Sequence, residues 1–130
     1  IVRTAAAFNV DALLLTWRNA PEETPTLAKI ACGGLEHLPI IRVGNLSEAI
    51  ASIKDNAFSV YGLAGEATTE LQSLTPDARS CLILGSEGKG LREKTRNHCD
   101  ALIKLPTSGE IRDINVSNAA AISLFHFRKG

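Results

Sequence analysis

Two stretches of this sequence decide the fold: LILGSEGKGL at residues 82–91 and LPTSGEIRDINVSNAAAISLF at residues 105–125. The first stretch contains a short apolar run, and the second stretch directly follows a second, mainly apolar run, at residues 101–104. In both cases a loop with glycine comes next, and then a segment of helical character. Short apolar runs bounded by turn residues are typical of strands that are buried on both faces. The two stretches therefore predict strand–loop–helix units of an α/β fold.

The same alternation extends outward over the whole chain. Strands and helices follow one another at a spacing of roughly 20–25 residues, which favours a mainly parallel sheet. No element is assigned to the polar stretch 66–78. The predicted helices are 2–8, 26–32, 46–55, 90–99 and 115–127, and the predicted strands are 11–16, 40–43, 58–65, 80–85 and 101–106.

Composition limits the classes of protein that fit. The 130 residues are enough for one compact domain, 45% of them are hydrophobic, and the formal net charge is zero. The overall charge therefore predicts no nucleic-acid footprint, so a local patch or another part of a longer protein would have to hold RNA. Three widely spaced cysteines without zinc-site spacing predict no metal site and favour the reducing cytoplasm. There is neither an apolar run near ~18 residues nor a signal peptide, so no membrane association is expected.

The loop Gly85–Gly90 allows several interpretations from its residues alone. Three glycines between a strand and a helix let the backbone approach a ligand closely. A phosphate-binding Walker A loop is excluded, because Gly90 stands where a hydroxyl side chain is required. A dinucleotide-binding G-x-G-x-x-G pattern does not occur in the chain. A plain strand-to-helix turn stays possible on composition.

Three motifs in order resemble those of the SpoU/TrmH family of RNA ribose 2′-O-methyltransferases. The start, IVRTA at 1–5, is similar to the end of the first motif of that family, and GSEGKGL at 85–91 resembles the second. LP at 105–106, Gly109 and INVSNAA at 114–120 resemble the third. The similarity covers nearly the whole chain and is strongest to 23S rRNA guanosine methyltransferases of the RlmB type.

This resemblance implies the SPOUT α/β knot: a mainly parallel sheet with helices on both faces and a C-terminal trefoil knot. Such knots are rare exceptions among protein topologies. The implied cofactor is S-adenosyl-L-methionine, held largely by backbone groups in the knot, and the implied assembly is a homodimer. The cofactor contacts carried over by motif position are Leu63, Ala64, Gly65, Gly85, Leu105, Ile114 and Ser117.

The resemblance also implies catalytic residues, and their individual roles stay open. Arg3 would either anchor a phosphate through its guanidinium or take a base-like part, although arginine is normally always protonated. Glu87 would orient Arg3 or the substrate, or else accept hydrogen bonds at the start of a helix. Asn115 is either an ordinary helix N-cap or a contact to the nucleotide. Arg3, Lys89 and Arg92 are the expected RNA contacts.

The implied function is methyl transfer from S-adenosyl-L-methionine to a ribose 2′-OH of RNA, with a guanosine of 23S rRNA as the first expectation. A tRNA 2′-O-methyltransferase and a non-catalytic RNA- or partner-binding module are the alternatives. Asp113 stands where the family has serine, which favours the last alternative slightly. Residues 1–130 are expected to form one catalytic domain that lacks the first strand, an asparagine six positions before Arg3 and any N-terminal RNA-binding domain.

Overall fold

The computed structural model describes residues 2–16, 38–85, 91–107 and 114–128. The chain divides into two compact units, one formed by residues 1–45 with 120–130 and the other by residues 46–119. The predicted helix at 26–32 lies outside the described residues.

The first unit contains a short helix, α1 (Val2–Ala7), and two paired strands, β1 (Leu13–Thr16) and β2 (Ile40–Val43). β1 and β2 are parallel, with Leu13 opposite Ile40. The turn after α1 includes Asn9, whose φ of 56° lies in the left-handed region that asparagine tolerates better than most residues. Asn9 thus ends the helix where no glycine is available.

The second unit is built on a four-stranded sheet. Its elements are α2 (Leu46–Asp55), β3 (Ser59–Leu63), β4 (Thr69–Glu70), a 3₁₀ turn (Leu71–Ser73), β5 (Ser80–Ile83), α3 (Glu93–His98) and β6 (Ala101–Lys104). The strand order is β4-β6-β3-β5, and every pairing is parallel. The last helix, α4 (Val116–Phe127), has its first turn in this unit and the remainder in the other.

These elements confirm the predicted α/β fold with a parallel sheet. The bounds of α2 and β2 are those predicted, and the other predicted elements in the described ranges occur with ends shifted by a few residues. The prediction for residues 66–78 was wrong, because this stretch holds β4 and the 3₁₀ turn. A strand of two residues is too short to show a period in sequence.

Both faces of the four-stranded sheet are covered. On one face, Ile50 of α2 forms the centre of the core with Val60 and Ile83. Tyr61 and Ile103 point to the opposite face, because side chains alternate along a strand, and both are buried as well. Burial on two faces explains why these strands are continuous apolar runs.

The connection from β3 to β4 passes across β6. Leu63 at the end of β3 and Thr69 at the start of β4 are both paired with Ile103, from opposite sides of β6. Only the five residues 64–68 join β3 to β4. Parallel strands of one sheet usually need a connection of about a dozen or more residues. The short link suffices because β4 begins at the level where β3 ends. Residues 64–68 therefore form a bridge from one side of β6 to the other.

α4 carries a buried hydroxyl without a hydrogen-bond partner among the described residues: the Oγ atom of Ser123, which is fully buried. A buried polar atom without a partner costs about 1–3 kcal/mol. We expect Ser123→Ala to raise the free energy of unfolding, measured by urea denaturation, by about 1 kcal/mol more than Ser52→Ala. Ser52 lies exposed on α2, so its replacement reports only the helix propensity of alanine. A net loss of stability in Ser123→Ala would show that the hydroxyl makes a favourable contact.

Candidate functional site

The register of the sheet gathers three of the predicted loops at one edge. Gly62 of β3 is paired with Ile83 of β5 and with Leu102 of β6. Two residues further along the chain from these three positions come Ala64, Gly85 and Lys104. The three segments therefore leave the sheet at the same level. This edge is the carboxyl end of parallel strands, where ligands bind in open α/β sheets. Leu63, Ala64, Gly65, Gly85 and Leu105, all predicted as cofactor contacts, are therefore brought together.

The loop after β3 is a tight turn with an open tip. The Ala64 amide donates to the carbonyl oxygen of Ile103 at 2.9 Å, and the Ala67 amide donates to the carbonyl of Ala64 at 3.1 Å. Ala64 and Ala67 are buried, whereas Gly65 and Glu66 between them are exposed. A Cβ atom placed on Gly65 would meet nothing within 4 Å. Gly65, at the tip of the turn, is thus exposed and has open space beside it.

The start of α4 supplies the other predicted contacts of the second unit. Ile114 is half-buried, and Asn115 and Ser117 are exposed. The Ser117 amide donates to the side-chain Oδ1 of Asn115 at 2.8 Å, which is the geometry of a helix N-cap. Of the two roles considered for Asn115, the structure therefore displays the cap. Its catalytic role stays a prediction.

Of the remaining predicted site residues, the structure describes Arg3 and Arg92. Arg3 is exposed on α1, in the first unit. Arg92 is exposed at the position before α3, where its carbonyl accepts the Arg96 amide at 2.9 Å. Glu87, Lys89 and Asp113 lie outside the described residues.

An ion pair beside the turn was not predicted. The Arg96 Nη2 atom of α3 lies 2.7 Å from the Glu66 Oε1 atom at the tip of the turn. The two residues are thirty positions apart, so no local spacing rule could have joined them.

Two thiols lie next to the core on the α2 side of the sheet. Burial raises the pKa of the Cys81 thiol, and the nearby Cys99 raises it further. Burial also raises the pKa of Cys99, with Asp100 adding to the increase and Lys54 opposing it. Thiols with raised pKa values are poor nucleophiles at neutral pH, so neither is a candidate for covalent catalysis.

Among the described residues, no group of three or more histidine, cysteine, aspartate or glutamate side chains could hold a metal ion. Within the same ranges, no helix has the length and apolar character needed to cross a membrane.

The fold and these loops define a parallel α/β domain with a candidate ligand site at the carboxyl edge of its sheet. The SpoU rRNA methylase family matches residues 1–125. The chain belongs to the SpoU rRNA methylase family, which confirms the resemblance given by its motifs.

Curated relatives agree with this membership. The chain is 42% identical over 125 residues to an uncharacterized tRNA/rRNA methyltransferase of Synechocystis sp., covering 96% of the chain and 33% of that protein. It is 38% identical over 130 residues to a protein named as a TrmH family tRNA/rRNA methyltransferase of Staphylococcus aureus (strain COL), covering 99% of the chain and 52% of that protein. The chain thus spans a third to a half of the length of these relatives.

A solved structure supports the fold. The SpoU methyltransferase AviRb of Streptomyces viridochromogenes, in complex with AdoMet, superposes with a TM-score of 0.87 at 22% sequence identity. The match covers 96% of this chain and 49% of AviRb. The architecture is therefore that of the SpoU/TrmH methyltransferases.

Proposed function

We propose that this chain is the cofactor-binding and catalytic domain of an enzyme that methylates a ribose 2′-OH of RNA with S-adenosyl-L-methionine. A guanosine of 23S rRNA is the proposed target. The proposal is carried by one observation: the loops of the family motifs that the structure describes leave the sheet at one edge, beside an open turn. The two relatives are named tRNA/rRNA methyltransferases, which supports RNA as the substrate class.

The residues at this edge suit the proposed cofactor. S-adenosyl-L-methionine has an apolar adenine ring, a charged amino acid end and a sulfonium that supplies an activated methyl group when bound. Half-buried Leu63, Leu105 and Ile114 offer apolar surface for a ring. The exposed backbone of Gly65 offers polar groups without a side chain in the way. AviRb, with the same fold, is described in complex with AdoMet.

The catalytic part of the proposal assigns roles to three side chains. Arg3 would align the RNA through a phosphate or assist removal of the 2′-OH proton, and Glu87 would orient Arg3 or the substrate. Asn115 would use its carboxamide towards the nucleotide in addition to capping α4. Arg92, exposed beside the second motif, supports the proposed RNA contact together with Arg3 and Lys89. No net basic charge is needed if these contacts are local.

The proposed architecture includes a trefoil knot and a homodimer. The bridge of residues 64–68, which links β3 to β4 past β6, supports the proposed knot, because a knot needs such a crossing of one segment past another. On α4, Ile122 and Phe125 are 48% and 54% exposed and, three positions apart, share a helix face. Exposed apolar faces of this kind are covered in assemblies, which supports a second copy as the partner. We place the enzyme in the cytoplasm, with its RNA.

Methyl transfer and cofactor binding test the function separately. Intact protein is incubated with methyl-labelled S-adenosyl-L-methionine and unmodified transcripts of 23S rRNA or tRNA. The RNA is then digested to nucleosides for mass spectrometry. We expect 2′-O-methylguanosine from the 23S transcript, and binding of S-adenosylhomocysteine measured by titration calorimetry.

The outcomes separate the alternatives. A 2′-O-methylated nucleoside from tRNA alone would move the target from rRNA to tRNA. Binding of S-adenosylhomocysteine without transfer to either RNA would favour a non-catalytic module with a retained pocket. Absence of both would overturn the proposed function.

A further inference from the structure

The ion pair between Glu66 and Arg96 joins the open turn to the helix packed on the sheet. Its two atoms are 2.7 Å apart, and the side chains of Arg96 and Glu66 are 36% and 57% exposed. The distance is that of a charge-assisted hydrogen bond. Glu66 directly follows Gly65, so the pair acts on the tip of the turn that follows β3 at the carboxyl edge of the sheet.

The Arg96 side of the pair is firmly anchored. The Cys99 amide donates to the Arg96 carbonyl at 3.2 Å, and the Asp100 amide donates to the Val60 carbonyl at 2.8 Å. The Asp100 Oδ2 atom accepts the Val60 amide in return at 2.7 Å. Asp100, four residues after Arg96 in the chain, thus ties the backbone that carries Arg96 to the central strand β3.

The Glu66 side of the pair has fewer restraints. The turn is tied at its base by the Ala64 and Ala67 hydrogen bonds, and both alanines are buried. At the tip, a Cβ atom placed on Gly65 would have no neighbouring atom within 4 Å. The ion pair is therefore a specific contact through which a fixed element can hold the tip in one conformation.

We propose that Glu66 and Arg96 are positioning residues of the cofactor site. Their ion pair fixes the turn 64–67 in the conformation that presents the backbone of Ala64 and Gly65 to the cofactor. This inference rests on the proposed function, since it names residues that shape the same site. Neither side chain is assigned a contact to the cofactor or to the methyl group.

The expected effect is on binding rather than on folding. Both charges are partly solvated, and such pairs contribute about 0.2–1 kcal/mol. The upper part of this range, about 0.4–1 kcal/mol, corresponds to about a two- to fivefold change in a dissociation constant. When the pair is removed, the turn samples other conformations. The free-energy cost of ordering the turn then weakens cofactor binding. Because the pair is exposed, the effect should shrink as salt rises.

The test is titration calorimetry of the intact protein with S-adenosylhomocysteine at low and high salt. Glu66→Gln and Arg96→Ala should each raise the dissociation constant about two- to fivefold at low salt, with a melting temperature close to wild type. Arg96→Lys, which keeps the charge, should recover most of the affinity. The double variant Glu66→Arg with Arg96→Glu should bind better than Arg96→Glu alone.

Glu93→Gln is the matched control, because it removes the same kind of charge from the first turn of α3. If Glu66→Gln and Arg96→Ala bind as tightly as Glu93→Gln, the inference is overturned. The same holds if Arg96→Ala loses affinity only for RNA, which would make Arg96 an RNA contact instead of a positioning residue. If wild-type protein does not bind S-adenosylhomocysteine, the proposed function fails instead, so the two failures are distinguishable.

Discussion

Arg3→Ala is expected to lower the rate of methyl transfer to RNA about 100-fold or more while leaving binding of S-adenosylhomocysteine unchanged. The size follows from what a positioned group contributes, whether it assists proton removal or stabilises charge in the transition state. Arg3 is exposed on α1, so its loss should not disturb the core. Transfer is measured with saturating cofactor and varied RNA, so that changes in kcat and in KM for RNA are separated.

Two further variants show which property of Arg3 matters and whether the effect is specific to its position. Arg3→Lys keeps the positive charge and loses the planar fork, so partial activity would favour phosphate attraction and no activity would favour a guanidinium-specific role. Arg79→Ala is the control, because Arg79 precedes β5 at the amino end of the sheet, where its guanidinium lies 4.5 Å over the Phe58 ring. We expect wild-type transfer rates from it. Transfer by Arg3→Ala within about threefold of wild type would remove Arg3 from the catalytic machinery.

Gly62→Val is expected to destabilise the protein by about 3 kcal/mol, because the centre of the sheet has no room for a side chain at this position. A Cβ on Gly62 would lie 2.8 Å from the Cys99 Sγ atom, 2.8 Å from Leu91 Cδ1 and 2.9 Å from Leu102 Cδ2. All three neighbours would have to move together. The free energy of unfolding is measured by urea denaturation.

Gly65→Ala is the matched control for this variant. It adds a side chain three residues further along the chain, where open space surrounds the built Cβ. We expect stability equal to wild type or higher by about 0.5 kcal/mol, since alanine restricts the unfolded chain. If Gly62→Val unfolded at the same urea concentration as Gly65→Ala, the close packing at Gly62 would be refuted.

The regular elements were predictable because their signals are local. α2 was predicted with the bounds that the structure gives it, since its apolar residues repeat at the helical spacing and Ile50 reaches the core. The strands were visible as apolar runs, because burial on two faces removes the polar residues from both sides. Family membership was equally accessible, since the motifs are stretches of adjacent residues.

Other features depend on residues that are far apart in sequence. β4 has two residues, and it is a strand only because it pairs with β6, more than thirty positions later. The bridge across β6 could not be predicted for the same reason. For Asn115, the hydrogen bond from the Ser117 amide shows the helix cap, and its contact to the nucleotide stays a prediction.

The sequence by itself determined the order of strands and helices, the parallel sheet and the family, because hydrophobic period and contiguous motifs are properties of neighbouring residues. Only the tertiary structure decided which distant residues are brought together. Strand register places Ala64 and Gly85 at the same edge of the sheet, and Glu66 forms an ion pair with Arg96 thirty positions later. These contacts arise from strand register and packing, which bring distant segments together.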